Sequence, residues 1–141
     1  KLQQFHFHAP SENEIDGQTY PLEGHFVYKT DNGKITVISV LYNYGDENQA
    51  LKQIWDKMPQ AANTETELSQ PISLDDFYPE DKDYYNFEGS LTTPPCTEGV
   101  NWIVFKNQET VSKEHVEKFT QTLGFENNRP IQDTNGRKIK E

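Results

Sequence analysis

A mainly β fold with peripheral helices is what this sequence predicts, on three observations. Residues 2–8 end in a strict alternation, Phe5-His6-Phe7-His8. Residues 22–30 and 34–42 are two apolar runs separated by Asp31-Asn32-Gly33, which is strong hairpin-turn chemistry. Only two stretches, after Gly45 and after Ser112, carry helical periodicity.

Each element has its own reason. In residues 2–8, period-2 geometry turns His6 and His8 to one face and Phe5 and Phe7 to the other. The run Lys34–Tyr42 is nearly continuous and rich in β-branched residues, as in a strand covered on both faces. Asp46 is the expected N-cap of a first helix, with Gln49 three residues later. Leu51, Ile54, Trp55 and Met58 share a face of it, and Pro59 ends it. Residues 60–80 are rich in Asn, Thr, Gln and Pro and read as loop, and Val100–Phe105 is a further strand. Ser112 caps a second helix with an apolar stripe of Val116, Phe119 and Leu123, and Gly124 closes it. His115 lies among Lys113, Glu114 and Lys118 and is expected to be a solvated surface histidine.

Bulk properties narrow the function. A length of 141 residues suits one domain or part of one. A net charge of −10 argues against nucleic acid and anionic membrane surfaces, which repel such a chain. No apolar run is long enough to span a bilayer, and the chain opens straight into a strand with no signal peptide expected, as a mature secreted protein, a cytosolic one or a fragment would. The 17 aromatics (8 Phe, 7 Tyr, 2 Trp) supply core area despite only 33% hydrophobic residues. The single cysteine, Cys96, has no partner within the chain and on its own reads as a small buried hydrophobe.

Three of the four histidines can converge. Along a strand, the Cα atoms of His6 and His8 lie roughly 6.6 Å apart, and a neighbouring strand about 4.8 Å away can bring in His25. Three imidazoles are the protein ligand set of a catalytic zinc, which keeps a fourth position for water. A His-x-His pair alone is weak, since alternation produces it by chance. Its neighbours strengthen it. Gln4 precedes His6 by two and Glu23 precedes His25 by two, each on the face of its histidine, where an acceptor fixes the ring tautomer. Both are otherwise ordinary strand polars. Glu12 follows in His-Ala-Pro-Ser-Glu, either functional or a surface carboxylate beside Glu14. Downstream, Gly89-Ser90-Leu91-Thr92-Thr93-Pro94-Pro95 is a rigid turn holding two threonine hydroxyls.

With these motifs the chain resembles the α-class carbonic anhydrases, in their bacterial branch. The resemblance is carried by Gln4–His8, Ser11-Glu12, Glu23-Gly24-His25, Gly89–Pro95, Glu98, Val100–Val104 and Asn127–Gln132, in the family's order. It implies a central mixed, mostly antiparallel sheet, incomplete here. It implies Zn2+ on His6, His8 and His25, and reversible hydration of CO2 to bicarbonate by hydroxide formed on that zinc. Thr92 would accept the hydroxide's hydrogen bond and donate to Glu12. Gln4, Glu23 and the backbone carbonyl of Asn127 would orient His6, His25 and His8. Val27, Val37, Leu91, Val100 and Trp102 would line an apolar CO2 site, with the Thr92 amide and Thr93 beside it. The four residues Val27, Val37, Val100 and Trp102 would be core in any β domain.

The resemblance also sets expectations for what this chain omits. Residues 1–141 match only the later three fifths or so of the family's single catalytic domain, so a segment before Lys1, or a second chain, is expected to complete it. Cys96 stands where secreted bacterial members pair with a cysteine of that earlier segment, which points to a periplasmic or secreted protein; pairing between two chains, in a homodimer, is the alternative. No histidine is left to shuttle protons. Gly24 replaces a bulkier residue and is expected to leave unfilled volume, and Phe87 replaces a tyrosine. An exposed sheet edge and an incomplete core are expected, leaving residues 1–141 alone poorly folded and inactive. Two other readings compete. A metal-dependent cupin-type oxygenase or isomerase would use Glu12 as a ligand but leaves Gly89–Pro95 unexplained. A non-catalytic carbonic-anhydrase-like binding module would normally have lost a zinc histidine.

Overall fold

The alternation in residues 2–8 becomes the edge strand β1 (Leu2–His8), antiparallel to β2 (Leu22–Lys29), in the computed structural model, which describes all of residues 1–141. Beyond β2 the chain reverses at Asp31-Asn32-Gly33 into β3 (Ile35–Tyr44). Gly33 takes φ +87°, the left-handed region the turn needs, and the Thr30 amide donates to the Lys34 carbonyl at 2.9 Å. Two more strands, β4 (Tyr84–Ser90) and β5 (Glu98–Phe105), pair with each other antiparallel, and β5 lies parallel to β3. The order is β1-β2-β3-β5-β4, with a short β6 (Glu109–Val111) parallel to the far end of β3. This is the mixed, mostly antiparallel sheet expected. β1 and β4 end it, and Asn86 of β4 exchanges 2.8 Å backbone bonds with Lys140.

Period 2 divides the buried side chains between the two faces. On one, Phe7, Leu22, Phe26, Val40, Tyr42 and Phe105 pack under the helices α1 (Gln49–Trp55) and α2 (Lys113–Leu123). On the other, Tyr20, Val27, Val37, Leu41, Val100, Trp102 and Val104 form a second cluster, and the histidines of β1 and β2 point the same way. Neither helix is long and apolar enough to cross a membrane.

Four sequence expectations need correction. The N-cap of α1 is Asn48, not Asp46, and the helix ends at Trp55, short of Met58. Asn48 accepts from the Leu51 amide at 3.1 Å and donates to the Thr110 carbonyl at 3.0 Å; a carboxylate has no proton for the second bond. The 60–80 stretch contains a 3-10 turn, Leu74–Phe77, whose Phe77 is buried in the helix-side core. His115 is buried, not solvated: it packs against Trp55, ring centroids 6.0 Å apart, one turn from Phe119 on the same face. Gly24 leaves no void, since a Cβ there would meet the Phe7 ring at 3.0 Å and the Tyr42 ring at 3.4 Å.

Candidate metal centre

Antiparallel register sets His6 directly opposite His25, with His8 one side-chain repeat along β1. Their ring centroids lie 4.7–5.3 Å apart, and one nitrogen from each ring falls within 4.8 Å of the others. The outer nitrogens are all engaged. His6 Nδ1 is 2.7 Å from Gln4 Oε1, His8 Nδ1 is 3.0 Å from the Asn127 carbonyl oxygen, and His25 Nε2 is 2.5 Å from Glu23 Oε2. Each of these oxygens accepts, so each outer nitrogen must carry the proton. The inner nitrogens, His6 Nε2, His8 Nε2 and His25 Nδ1, are left with unshared pairs. His8 Nε2 is buried with no hydrogen-bond partner. Such a convergence suits a cation that takes imidazole nitrogen.

Burial favours the neutral forms of His6 and His8. Burial pushes His6 down to about 4, with His25 and His8 adding to the shift. Burial also lowers His8, again reinforced by His25. A protonated ring cannot ligate, so both shifts favour the metal-ready form.

Glu23 binds the centre to the rest of the sheet. It is fully buried, and its Oε1 accepts from the Glu12 and Asn13 amides, both at 2.8 Å. Its Oε2 accepts from Asn13 Nδ2 at 2.7 Å, from Ser39 Oγ at 2.8 Å and from the His25 ring. Burial alone would raise this carboxyl, but the His25 ring, Asn13 and Ser39 together hold it down at about 2. One carboxylate thus fixes both the His25 tautomer and the turn that carries Glu12.

Glu12 and Thr92 line one cavity of about 100 Å³ with Ser90, Trp102 and Arg129. The hydrogen bond between Thr92 and Glu12 that the resemblance implies is not formed. Glu12 Oε2 accepts from the Arg129 amide at 2.5 Å, while Oε1 has no donor and sits 3.3 Å from His8 Nε2 and 3.9 Å from His25 Nδ1. A larger cavity of about 370 Å³, lined by Glu12, Ile15, Tyr85, Phe87 and Arg137, adjoins the smaller one, and none of the three histidines lines either cavity. Val27, Val37, Val100 and Trp102 share the second core cluster with Leu91 packed against it, and the Trp102 ring lies 4.9 Å from the His25 ring. Thr93 is exposed, and Cys96 is a free, half-buried thiol at φ +56° in the same turn.

The family model for eukaryotic-type carbonic anhydrase matches residues 1–141. The chain belongs to the α-class carbonic anhydrases. It is 47% identical over 138 residues to a carbonic anhydrase of Pectobacterium carotovorum, covering 98% of this chain and 57% of that protein. A carbonic anhydrase of Neisseria gonorrhoeae is 48% identical over 140 residues, 99% of this chain and 55% of its own length. Among solved structures, the α-carbonic anhydrase of Thermovibrio ammonificans with the inhibitor sulfanilamide aligns at a TM-score of 0.97 and 48% identity, over 99% of this chain and 62% of that one. The chain therefore spans less than two thirds of the length of these carbonic anhydrases.

Sequence reasoning overlooked three contacts within this carbonic anhydrase sheet. Ser39 sits opposite His25 in the β2–β3 register, and a lone serine inside a β-branched run was the available signal. Asn13 and the Arg129 backbone amide left no such mark, because each acts through a turn whose path only the folded chain defines.

Proposed function

We propose that the protein catalyses zinc-dependent, reversible hydration of CO2 to bicarbonate and a proton. The observation that carries the reading is the trio of a half-buried His6 and buried His8 and His25, whose outer nitrogens are all committed to acceptors and whose inner nitrogens converge. These residues fit zinc, which takes neutral imidazole nitrogen, and the unpartnered His8 Nε2 would otherwise be a costly buried polar atom. Bound there, zinc supplies Lewis acidity that lowers the pKa of water to about 7, an effect for which carbonic anhydrase is itself the type case and the source of the figure.

The chain's own residues do the remaining work. Gln4, the Asn127 carbonyl and Glu23 hold the three rings with their unshared pairs inward, and fixed rings avoid reorganisation during the reaction. Glu12 Oε1, which has no donor, is the acceptor this reading requires for the Thr92 hydroxyl lining the same cavity. With its proton held there, Thr92 Oγ is left to accept from the attacking oxygen and aim it. CO2 is apolar, and Val27, Val37, Leu91, Val100 and Trp102 offer it an apolar wall beside His25, with Thr92 and Thr93 at the rim.

The matches above are to carbonic anhydrases and do not favour the cupin-type reading, and the surviving trio counts against a non-catalytic module. The test is a CO2-hydration assay on the purified intact protein, with zinc quantified and sulfanilamide as inhibitor. One zinc per chain with sulfonamide-sensitive hydration supports the reading; zinc-loaded protein without hydration would leave the binding module. Separately, from the position of Cys96 we propose a periplasmic or secreted protein, and cell fractionation tests that part.

A further inference from the structure

The geometry points to the side chain of Asn127 as a positioning residue that sets the His8 ligand through the backbone of β1, an inference that rests on the zinc reading above. β1 ends the sheet, so only one of its edges pairs with β2. On the other edge, the carbonyl of Phe7 and the amide of Ala9 lie two residues apart and face the same way, as the polar groups of alternate residues in a strand do. Left open, that edge would fray at the residue that must hold a metal ligand steady. The Asn127 side chain closes it. Its Nδ2 donates to the Phe7 carbonyl at 2.9 Å, and its Oδ1 accepts from the Ala9 amide at 2.9 Å.

A carboxamide presents one donor and one acceptor, as a peptide group of a neighbouring strand would. Aspartate lacks the donor, and an aliphatic side chain lacks both. The two bonds fix the peptides flanking His8, and so the direction in which its side chain leaves the strand. The backbone carbonyl of the same residue accepts from His8 Nδ1 at 3.0 Å. Asn127 therefore holds His8 at three points, two on the main chain and one on the ring. Two residues on, the Arg129 amide donates to Glu12 Oε2, so the same short segment aligns the neighbouring carboxylate. A ligand must stay within roughly 0.5 Å of its productive position, which explains why a surface segment would be recruited to brace one strand edge.

Substitution separates the two roles, because the carbonyl stays when the side chain goes. Zinc release from the zinc-loaded intact protein to excess dipicolinate is compared for the wild type, Asn127→Ala, Asn127→Asp and Ser112→Ala. The last removes the α2 N-cap hydroxyl, which accepts from the His115 amide at 3.2 Å, and controls for a general loss of stability. The expected result is release about tenfold faster from Asn127→Ala, an intermediate rate from Asn127→Asp and a wild-type rate from Ser112→Ala. The visible spectrum of the cobalt-substituted protein should shift in Asn127→Ala and stay fixed in Ser112→Ala. If Asn127→Ala does not fold, Asn127→Asp decides by the same two readouts. Wild-type release and spectrum in the Asn127 variants, or equal acceleration in Ser112→Ala, would overturn the inference alone. A wild type that takes up no zinc would overturn the zinc reading, and this inference with it.

Discussion

On one face of the sheet Phe26, Tyr42 and Trp55 pack ring against chain in a dry core; on the other, one residue along, Glu23, His25 and Ser39 are just as buried but held by hydrogen bonds. The same strands build both. On the helix face, stabilisation scales with apolar area and shape, so losses are graded and local. On the histidine face, each buried polar atom needs its partner, so removing one disturbs several. The larger apolar core lies on the first face and the candidate metal centre on the second. This division can be broken or sharpened by substitution.

The largest effect is expected from His6→Ala. It removes one of the three converging nitrogens while its Gln4 partner is free to turn to solvent, since Gln4 is exposed. CO2 hydration should fall on the order of a thousandfold or more, with stability within about 1 kcal/mol of wild type. Assay and thermal melt together check this; a large loss of stability would mean that the two faces are not separable. Next, Phe26→Ala on the helix face should cost about 3–5 kcal/mol of stability, with zinc per folded molecule unchanged. Loss of zinc from the folded fraction would break the division from the other side.

Glu23→Gln probes the hydrogen-bonded face itself. Zinc affinity should fall roughly 10- to 100-fold, as when a ligand loses its orienting partner. The pH dependence has a definite sign. The folded pKa of Glu23 lies at about 2, below the ordinary 4.5, so its stabilisation is complete above pH 4.5 and is lost as pH falls through 2. The melting difference between wild type and Glu23→Gln should therefore be widest near neutral pH and narrow below pH 4.5. A constant difference would assign the effect to packing. The zinc-free wild type should itself lose stability as pH falls from 6.5 towards 4, because unfolded histidine takes up protons that folded His6 refuses. The smallest effect is Gly24→Ala, at about 1 kcal/mol of destabilisation from pressing a methyl onto Phe7. A stabilising result would show that the Phe7 ring yields freely.

Period 2 made most of this fold readable in advance. The alternation of Phe5 to His8, the Asp31-Asn32-Gly33 turn and the β-branched run of β3 each specify local geometry without help from distant residues. β4 (Tyr84–Ser90) escaped notice because Tyr-Tyr-Asn-Phe-Glu-Gly-Ser has no sustained alternation, and its strand form comes from pairing with β5. β6 has three residues, too few for any period. His115 was misread because three charged neighbours outweighed its helical spacing to Phe119. In the centre, residues acting at two-residue spacing, Gln4 and Glu23, could be found along a strand. Contacts across more than a hundred residues, Asn127 with Phe7 and Ala9 and Arg129 with Glu12, could not.

Zinc-edge X-ray absorption on the purified intact protein tests the central claim most directly. The expected result is one zinc per chain bound by three imidazole nitrogens at about 2.0 Å and no protein oxygen or sulfur. Zinc well below one equivalent, or a coordination shell containing the Glu12 carboxylate or the Cys96 sulfur, would contradict it.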